Sequence, residues 1–152
     1  MSETRQSNDF PFSWPIRIYY EDTDTGGVVY YANYLKFYER ARTEALRSIG
    51  FQQEALKNDE NLLFVVAGVQ VDYKRPAVLD DELMVLVRVD KIARSYLVFE
   101  QKIVKKVAGN EIVLNTATVK VACVQGDSYR PKALPEAVLS RLGSLTDHRS
   151  QE

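Results

Sequence analysis

Histidine and cysteine are almost absent from this chain of 152 residues, since each occurs once, as His148 and Cys123. A catalytic triad needs a positioned imidazole, and His148 lies in a polar C-terminal stretch with no apolar pattern to anchor it. A structural zinc site needs several thiolate or imidazole ligands, which two isolated residues do not supply. Acid–base chemistry therefore falls to Asp, Glu, Tyr or Lys, and we expect no metal and no cofactor.

Long apolar runs and blocks of one charge are also missing. No run reaches the length of about 18 apolar residues that a transmembrane helix needs, and the first nine residues lack the apolar core of a secretory signal. The 20 basic and 21 acidic residues are interspersed, which disfavours nucleic-acid binding. Together with a single unpaired cysteine, these absences predict a soluble cytoplasmic protein.

The chain has enough apolar residues for one domain. They make up 45% of the sequence, and a domain of this size buries roughly two-thirds of its unfolded surface. We expect residues 1–13 to be a flexible leader, residues 14–140 to be the folded domain and residues 141–152 to be a polar tail.

One long amphipathic helix is predicted over residues 31–49, where apolar residues recur every three or four positions before Gly50. We expect its polar face to be solvated and Arg40 to pair with Glu44. A short helical turn is expected within residues 51–58. The charged residues assigned to the polar face are Lys36, Glu39, Arg40, Arg42, Glu44 and Arg47.

The remaining sequence has the pattern of β-strands. Ile16, Ile18 and Tyr20 alternate with polar neighbours, and four valine-rich runs follow at residues 62–73, 82–91, 96–107 and 111–124. We expect these four runs to form an antiparallel meander. A largely apolar helix must be covered, so the pattern predicts an α+β hot-dog fold, with five antiparallel strands wrapped around one long helix. Exposed sheet edges predict at least a dimer.

The stretch DTDTGGVVYY, residues 22–31, places two carboxylates and two glycines in front of the predicted helix. The unpaired N–H groups at a helix N-terminus stabilise an oxyanion, and glycine lets a carbonyl group approach them closely. Aspartates and glycines also form ordinary turns and helix caps. Taken by itself, the stretch is compatible with either role.

Residues 19–34 and 37–44 closely resemble the YbgC-like acyl-CoA thioesterases of the 4-hydroxybenzoyl-CoA thioesterase family. The likeness covers about residues 14–140 and includes Tyr73, Ser95 and residues 76–77, 80–81, 97–99 and 131–135. It implies that Asp24 is the catalytic carboxylate, that Asp22 is structural, and that the N–H of Tyr31, near Gly27, polarises the thioester carbonyl. Many YbgC-like members carry histidine at the position of Tyr31, whereas 4-hydroxybenzoyl-CoA enzymes can carry tyrosine there.

A second candidate site lies in the turn between the predicted strands 82–91 and 96–107. Lys91, Arg94 and Ser95 occur together there, and the matching loop of the family contacts CoA. Cationic side chains suit the phosphates of CoA, although a solvated turn of ordinary surface charge has the same composition.

The resemblance implies hydrolysis of acyl-CoA to a free acid and CoA, with Asp24 acting as nucleophile or as general base. It also implies a homodimer or homotetramer, a setting near the Tol-Pal system with peripheral contact to the inner membrane, and contacts with acyl carrier protein or with enzymes of phospholipid synthesis. A non-catalytic acyl-CoA or acyl-carrier-protein binding module is the alternative. A dehydratase is disfavoured because that chemistry typically uses histidine.

Three other side chains are weaker candidates for chemistry. Glu39 and Glu44 are alternative catalytic carboxylates, but neighbouring arginines supply a salt-bridge explanation for both. Cys123 alternates in phase with Val119 and Val121, which predicts a small buried hydrophobe.

Overall fold

The structure, a computed structural model, describes residues 9–146. Five strands are present: β1 (Phe12–Arg17), β2 (Leu62–Tyr73), β3 (Glu82–Ile92), β4 (Tyr96–Val107) and β5 (Asn110–Gln125). The helices are α1 (Asn33–Ser48), α2 (Gln53–Glu60) and α3 (Glu136–Leu142). Short 3-10 turns occupy Tyr20–Asp22 and Gly143–Leu145. None of the helices within residues 9–146 is both long enough and apolar enough to cross a bilayer.

The strands form one antiparallel sheet in the order β1-β3-β4-β5-β2, and α1 packs against it. The α+β hot-dog fold is therefore confirmed. The expected meander is wrong for β2, which pairs with β5 at the edge of the sheet and not with β3. Tight hairpins force β3, β4 and β5 to be neighbours, whereas the wider loop 74–81 lets the chain cross from β2 to β3.

The core lies between α1 and the inner face of the sheet. The buried apolar side chains of α1 follow helical spacing and are Tyr34, Phe37, Tyr38, Ala41, Ala45 and Leu46. Against them pack alternate residues of the strands, among them Val85, Val87, Leu97, Phe99 and Ile103. The tyrosine hydroxyl of Tyr38 donates to the buried Asn115 amide oxygen, which joins the helix to β5.

Two predictions about the polar face of α1 are wrong. Arg42 is buried, and its guanidinium donates to the Gln101 amide oxygen at 3.0 Å. Burial lowers the pKa of Arg42 to about 10, while Glu39 nearby raises it. Glu44 pairs with Arg47, at 2.6 Å, and not with Arg40.

Ordered structure extends into both expected terminal segments. Phe10 is only 8% exposed and packs with Leu86 and Val104, and β1 begins at Phe12, inside the expected leader. At the other end, Leu142 and Leu145 are buried, so the expected polar tail begins too early. Its residues 147–152, including His148, lie outside the described residues.

Candidate active site

The chain reaches the site through a short turn after β1. The alternation of apolar residues predicted that Tyr20 belongs to the strand, and this is wrong. The strand β1 ends at Arg17, and Tyr20 lies in a 3-10 turn. Asp22 closes this turn, because its Oδ2 accepts from the N–H of Tyr19 at 2.9 Å and its carbonyl accepts from the N–H of Tyr30 at 3.1 Å. The same carbonyl accepts from the Asn33 side chain at 2.9 Å. Asp22 thus links Tyr19, where the loop begins, to Tyr30 and Asn33, where it ends.

Asp24 lies at the exposed tip of the loop. Its N–H donates to the Val28 carbonyl at 2.9 Å, and its carbonyl accepts from the N–H of Gly27 at 3.1 Å. Its Oδ1 accepts from the N–H of Gly26 at 2.8 Å. Gly27 has φ +84°, a conformation that glycine adopts without strain. The turn therefore fixes one carboxylate oxygen of Asp24 and leaves Oδ2 without a hydrogen bond among residues 9–146.

The N–H of Tyr31 lies just before α1. The helix begins at Asn33, two residues after the position expected from the sequence. The N–H groups of Asn33 and Tyr34 donate to the carbonyls of Tyr30 and Tyr31, at 2.8 and 3.3 Å, whereas that of Tyr31 has no acceptor within the described chain. An unpaired amide beside the positive end of α1 is suited to bind an oxyanion.

The loop 74–81 holds this region from the other side. The Ala77 carbonyl accepts from the N–H of Val29, and the N–H of Ala77 donates to the Tyr34 hydroxyl, both at 2.9 Å. Burial raises the pKa of Tyr34, against the opposing effect of the Ala77 hydrogen bond, so the phenol keeps its proton at neutral pH. Residue 77 lies in a segment covered by the family likeness, but no local pattern indicates these contacts, because they join residues far apart in the sequence.

The hairpin with Lys91, Arg94 and Ser95 lies at the opposite end of the sheet. The loop near Asp24 adjoins the start of β3, whereas the hairpin follows the end of that 11-residue strand, about 33 Å away. The carbonyls of Arg94 and Ser95 accept from the N–H groups of Leu134 and Cys123, at 2.9 and 2.8 Å. A single chain therefore does not bring the two predicted sites together.

The hairpin end also carries Lys120, which lies outside the predicted turn. The Lys120 ammonium lies 4.4 Å from the ring centre of Tyr96, and that of Lys91 lies 5.5 Å from it. The hydrogen bond from Lys91 lowers the pKa of Tyr96. Lys120 has an indirect signal in the sequence, because it alternates with Val119 and Val121 on β5 and so faces the outer side of the sheet.

The weaker candidates have structural partners. Glu39 accepts a hydrogen bond from the Thr43 hydroxyl at 2.9 Å, and the partner of Glu44 is Arg47. Cys123 is buried, as predicted, and burial raises its pKa to about 11 despite the nearby Lys132. Within residues 9–146, no three His, Cys, Asp or Glu side chains lie close enough to hold a metal ion.

Known proteins resemble this chain over most of its length. A family model described as "Thioesterase-like superfamily" matches residues 19–142. The acyl-CoA thioesterase YbgC of Haemophilus influenzae is 48% identical over 86% of this chain and 93% of its own. The acyl-CoA thioester hydrolase YbgC of Escherichia coli O157:H7 is 46% identical over 85% of this chain and 93% of its own.

A solved structure agrees with these relatives. The probable thioesterase from Bartonella henselae has a TM-score of 0.74 and 36% identity, and the match covers 81% of this chain and 98% of that one. The match to the family model spans the loop that carries Asp24 and Tyr31 and the helix α1 that follows it. This chain therefore belongs to the YbgC acyl-CoA thioesterases, within the thioesterase-like superfamily.

Proposed function

We propose that this protein hydrolyses an acyl-CoA thioester to a free carboxylic acid and CoA, with Asp24 as the reacting carboxylate and the Tyr31 N–H as the oxyanion donor. The reaction class follows from the family, whose relatives are named acyl-CoA thioesterases and thioester hydrolases. One observation carries the assignment of residues. The Asp24 carboxylate, whose Oδ2 accepts no hydrogen bond among residues 9–146, and the N–H of Tyr31, which has no acceptor there, lie on one short loop before α1.

The chemistry requires polarisation of the thioester carbonyl. The Tyr31 N–H donates to the carbonyl oxygen, and the positive end of α1 stabilises the negative charge that develops on it. A donor of this kind contributes roughly a hundredfold or more to the rate. Gly26 and Gly27 carry no side chain on the loop between Asp24 and Tyr31, and an added Cβ at Gly27 would meet no atom within 4 Å.

Asp24 acts in one of two ways. As a nucleophile, it attacks the carbonyl carbon, the CoA thiolate leaves, and water hydrolyses the resulting mixed anhydride. As a general base, it takes a proton from water while the water oxygen attacks the same carbon, and the thiolate again leaves. Both routes give the same acid and the same thiol. A binding module without turnover is not favoured, because the relatives are named as hydrolases.

We further propose that the chain works as a homo-oligomer built on the free edge of β2. Val66 and Val69 are 53% and 46% exposed on this edge strand, which offers unpaired backbone groups to a second copy. Leu62 starts β2 at the hairpin end of the sheet and Tyr73 finishes it near the Asp24 loop. Antiparallel pairing of two β2 edges therefore brings the hairpin of one subunit toward Asp24 of the other.

In this assembly the hairpin residues Lys91, Arg94 and Ser95 bind the phosphates of CoA, while the thioester reaches Asp24 of the partner. A dimer satisfies the geometry, and a tetramer contains two such pairs. The wider partners that the resemblance implies, acyl carrier protein and enzymes of phospholipid synthesis, stay predictions. So do the cytoplasmic location beside the inner membrane and the link to the Tol-Pal system.

The substitution Asp24→Asn tests the proposed reaction. Asparagine keeps the acceptor for the Gly26 N–H but removes the nucleophilic or basic oxygen, so we expect kcat to fall by about a thousandfold. Thiol release from a panel of aliphatic and aromatic acyl-CoAs gives the rates. Calorimetry with a non-hydrolysable thioether analogue should give an affinity close to that of the wild type.

Asp22→Asn is the matched control, since it changes the same atoms two residues away. Its side chain still accepts from the Tyr19 N–H, and we expect kcat to change less than about fivefold. Turnover of Asp24→Asn at the rate of Asp22→Asn would contradict the role of Asp24. Saturable binding without thiol release by the wild type would indicate the binding module.

A further inference from the structure

Tyr73, the last residue of β2, packs directly against the residue that supplies the proposed oxyanion donor. Its hydroxyl donates to the Tyr31 carbonyl at 3.3 Å. Its ring meets the Tyr31 ring edge-on, with centroids 6.0 Å apart, and the Tyr34 ring at 5.7 Å. The edge strand is thereby joined to the entrance of α1 through three aromatic side chains.

These contacts act on one side of Tyr31. Its carbonyl accepts from the Tyr73 hydroxyl and from the Tyr34 N–H, both at 3.3 Å. Its own N–H donates to no group within residues 9–146. The peptide plane that carries this N–H is held on its other side by the Tyr30 carbonyl, which accepts from the N–H of Asn33 at 2.8 Å. The Tyr73 contacts hold the Tyr31 side of the same plane.

The Tyr73 hydroxyl is available as a donor at neutral pH. Burial raises its pKa, and the neighbouring Tyr31 phenol raises it further. The phenol thus keeps its proton while the thioester reacts. Its acceptor, a main-chain carbonyl, does not titrate, so the contact persists across the working pH range of a carboxylate catalyst.

We propose that Tyr73 is a positioning residue, which holds Tyr31 from the edge strand so that its N–H faces the thioester carbonyl. This inference rests on the proposed function of the Tyr31 amide. Tyr73 itself touches no reacting atom. Its effect is on the alignment of the donor, and alignment of an oxyanion donor matters in the transition state more than in substrate binding.

Tyr73→Phe tests the proposal, because it keeps the ring and removes the hydroxyl. We expect kcat to fall about fivefold, the effect of one lost hydrogen bond, with KM changed less than about twofold. Tyr73→Leu also removes the ring, and we expect a fall in kcat of about twentyfold or more. Tyr129→Phe is the control, since Tyr129 is exposed in the turn after β5, at the other end of β2.

Steady-state thiol release and thermal unfolding are measured on all three variants. An unchanged kcat in Tyr73→Phe, or a loss no larger than that of Tyr129→Phe, would overturn the proposal. A fall in kcat of Tyr73→Phe together with a rise in KM of similar size and a lower Tm would also overturn the proposal. That result would indicate that Tyr73 acts only through packing. The proposed function fails separately, if Asp24→Asn turns over like the wild type, whatever Tyr73→Phe does.

Discussion

The two ends of the sheet differ in charge and in how they are held. At the Asp24 end, the turn after β1, α1, the loop 74–81 and the end of β2 all hydrogen-bond to one loop, and the proposed reactive groups are a carboxylate and an amide. At the hairpin end, Lys91 and Lys120 flank the Tyr96 ring, and the hairpin carbonyls accept from neighbouring main-chain N–H groups. One end is suited to acyl transfer and the other to binding an anion.

With the residue roles proposed above, this difference calls for a second chain. The ends are about 33 Å apart along β3, so the groups proposed to act on the thioester and those proposed to bind the CoA phosphates do not meet within one subunit. The free edge of β2, which joins the two ends, is the natural place for a second copy. The following predictions test the separation of the two ends.

The largest effect is expected on stability at the hairpin end. Leu142 of α3 is fully buried, and Leu142→Ala should lower the free energy of unfolding by about 3 kcal/mol. Urea denaturation measures the loss. Leu139→Ala, on the partly exposed side of the same helix, should cost less than about 1 kcal/mol. If kcat of folded Leu142→Ala also falls, the two ends are not independent.

A smaller effect is expected on substrate binding. Replacing Lys91 and Arg94 together with alanine removes two cations, so KM for acyl-CoA should rise about tenfold while kcat is preserved. A short thioester without the nucleotide should show no change. Lys106→Ala is the control, because it removes a cation at the Asp24 end. A rise in KM caused by Lys106→Ala would contradict the proposal, because it would indicate that Lys106, and not the hairpin, binds the CoA phosphates.

Mixed oligomers sharpen the comparison further. When the Asp24→Asn chain is unfolded and refolded with the Lys91/Arg94 double variant, about a quarter of the sites combine a native Asp24 with a native hairpin from the partner. At low acyl-CoA concentration the mixture should be about fivefold more active than the average of the two variants kept apart. Activity equal to that average would show that each site belongs to one chain.

No effect is expected at Cys123. The thiol is buried and its pKa is raised to about 11, so the reactive thiolate is scarce at pH 8. A chromogenic disulfide reagent should not label the native protein but should label it in urea. Cys123→Ala should retain kcat within about twofold. Rapid labelling with loss of activity would give the thiol a role that its burial excludes.

The strands and α1 could be predicted because their signals are local. The predicted runs 62–73 and 96–107 coincide with β2 and β4, since alternation of apolar residues depends on close neighbours. Arg42 shows the limit of such reasoning. Its charge predicted an exposed position, but its acceptor Gln101 lies 59 residues away, and no local pattern indicates that contact.

The ends of the fold show a second limit. Phe10 and Leu142 lie in segments that were expected to be leader and tail, because each is close to a polar stretch, residues 1–9 and 146–152, at one end of the sequence. Phe10 packs on the outer face of the sheet, against Leu86 of β3 and Val104 of β4. That surface exists only in the folded sheet, so the sequence near Phe10 does not predict that its side chain is buried.

The sequence by itself determined the five strands, the long helix and the turn around Gly27, because these depend on side-chain alternation and backbone preferences within a few residues. It also carried the likeness that selects Asp24 and Tyr31. Only the tertiary structure decided that β2 lies at the edge, that Tyr73 packs against Tyr31, and that the cationic hairpin lies far from Asp24. Those contacts join distant segments, and their free energy is gained only when the segments meet in the folded chain.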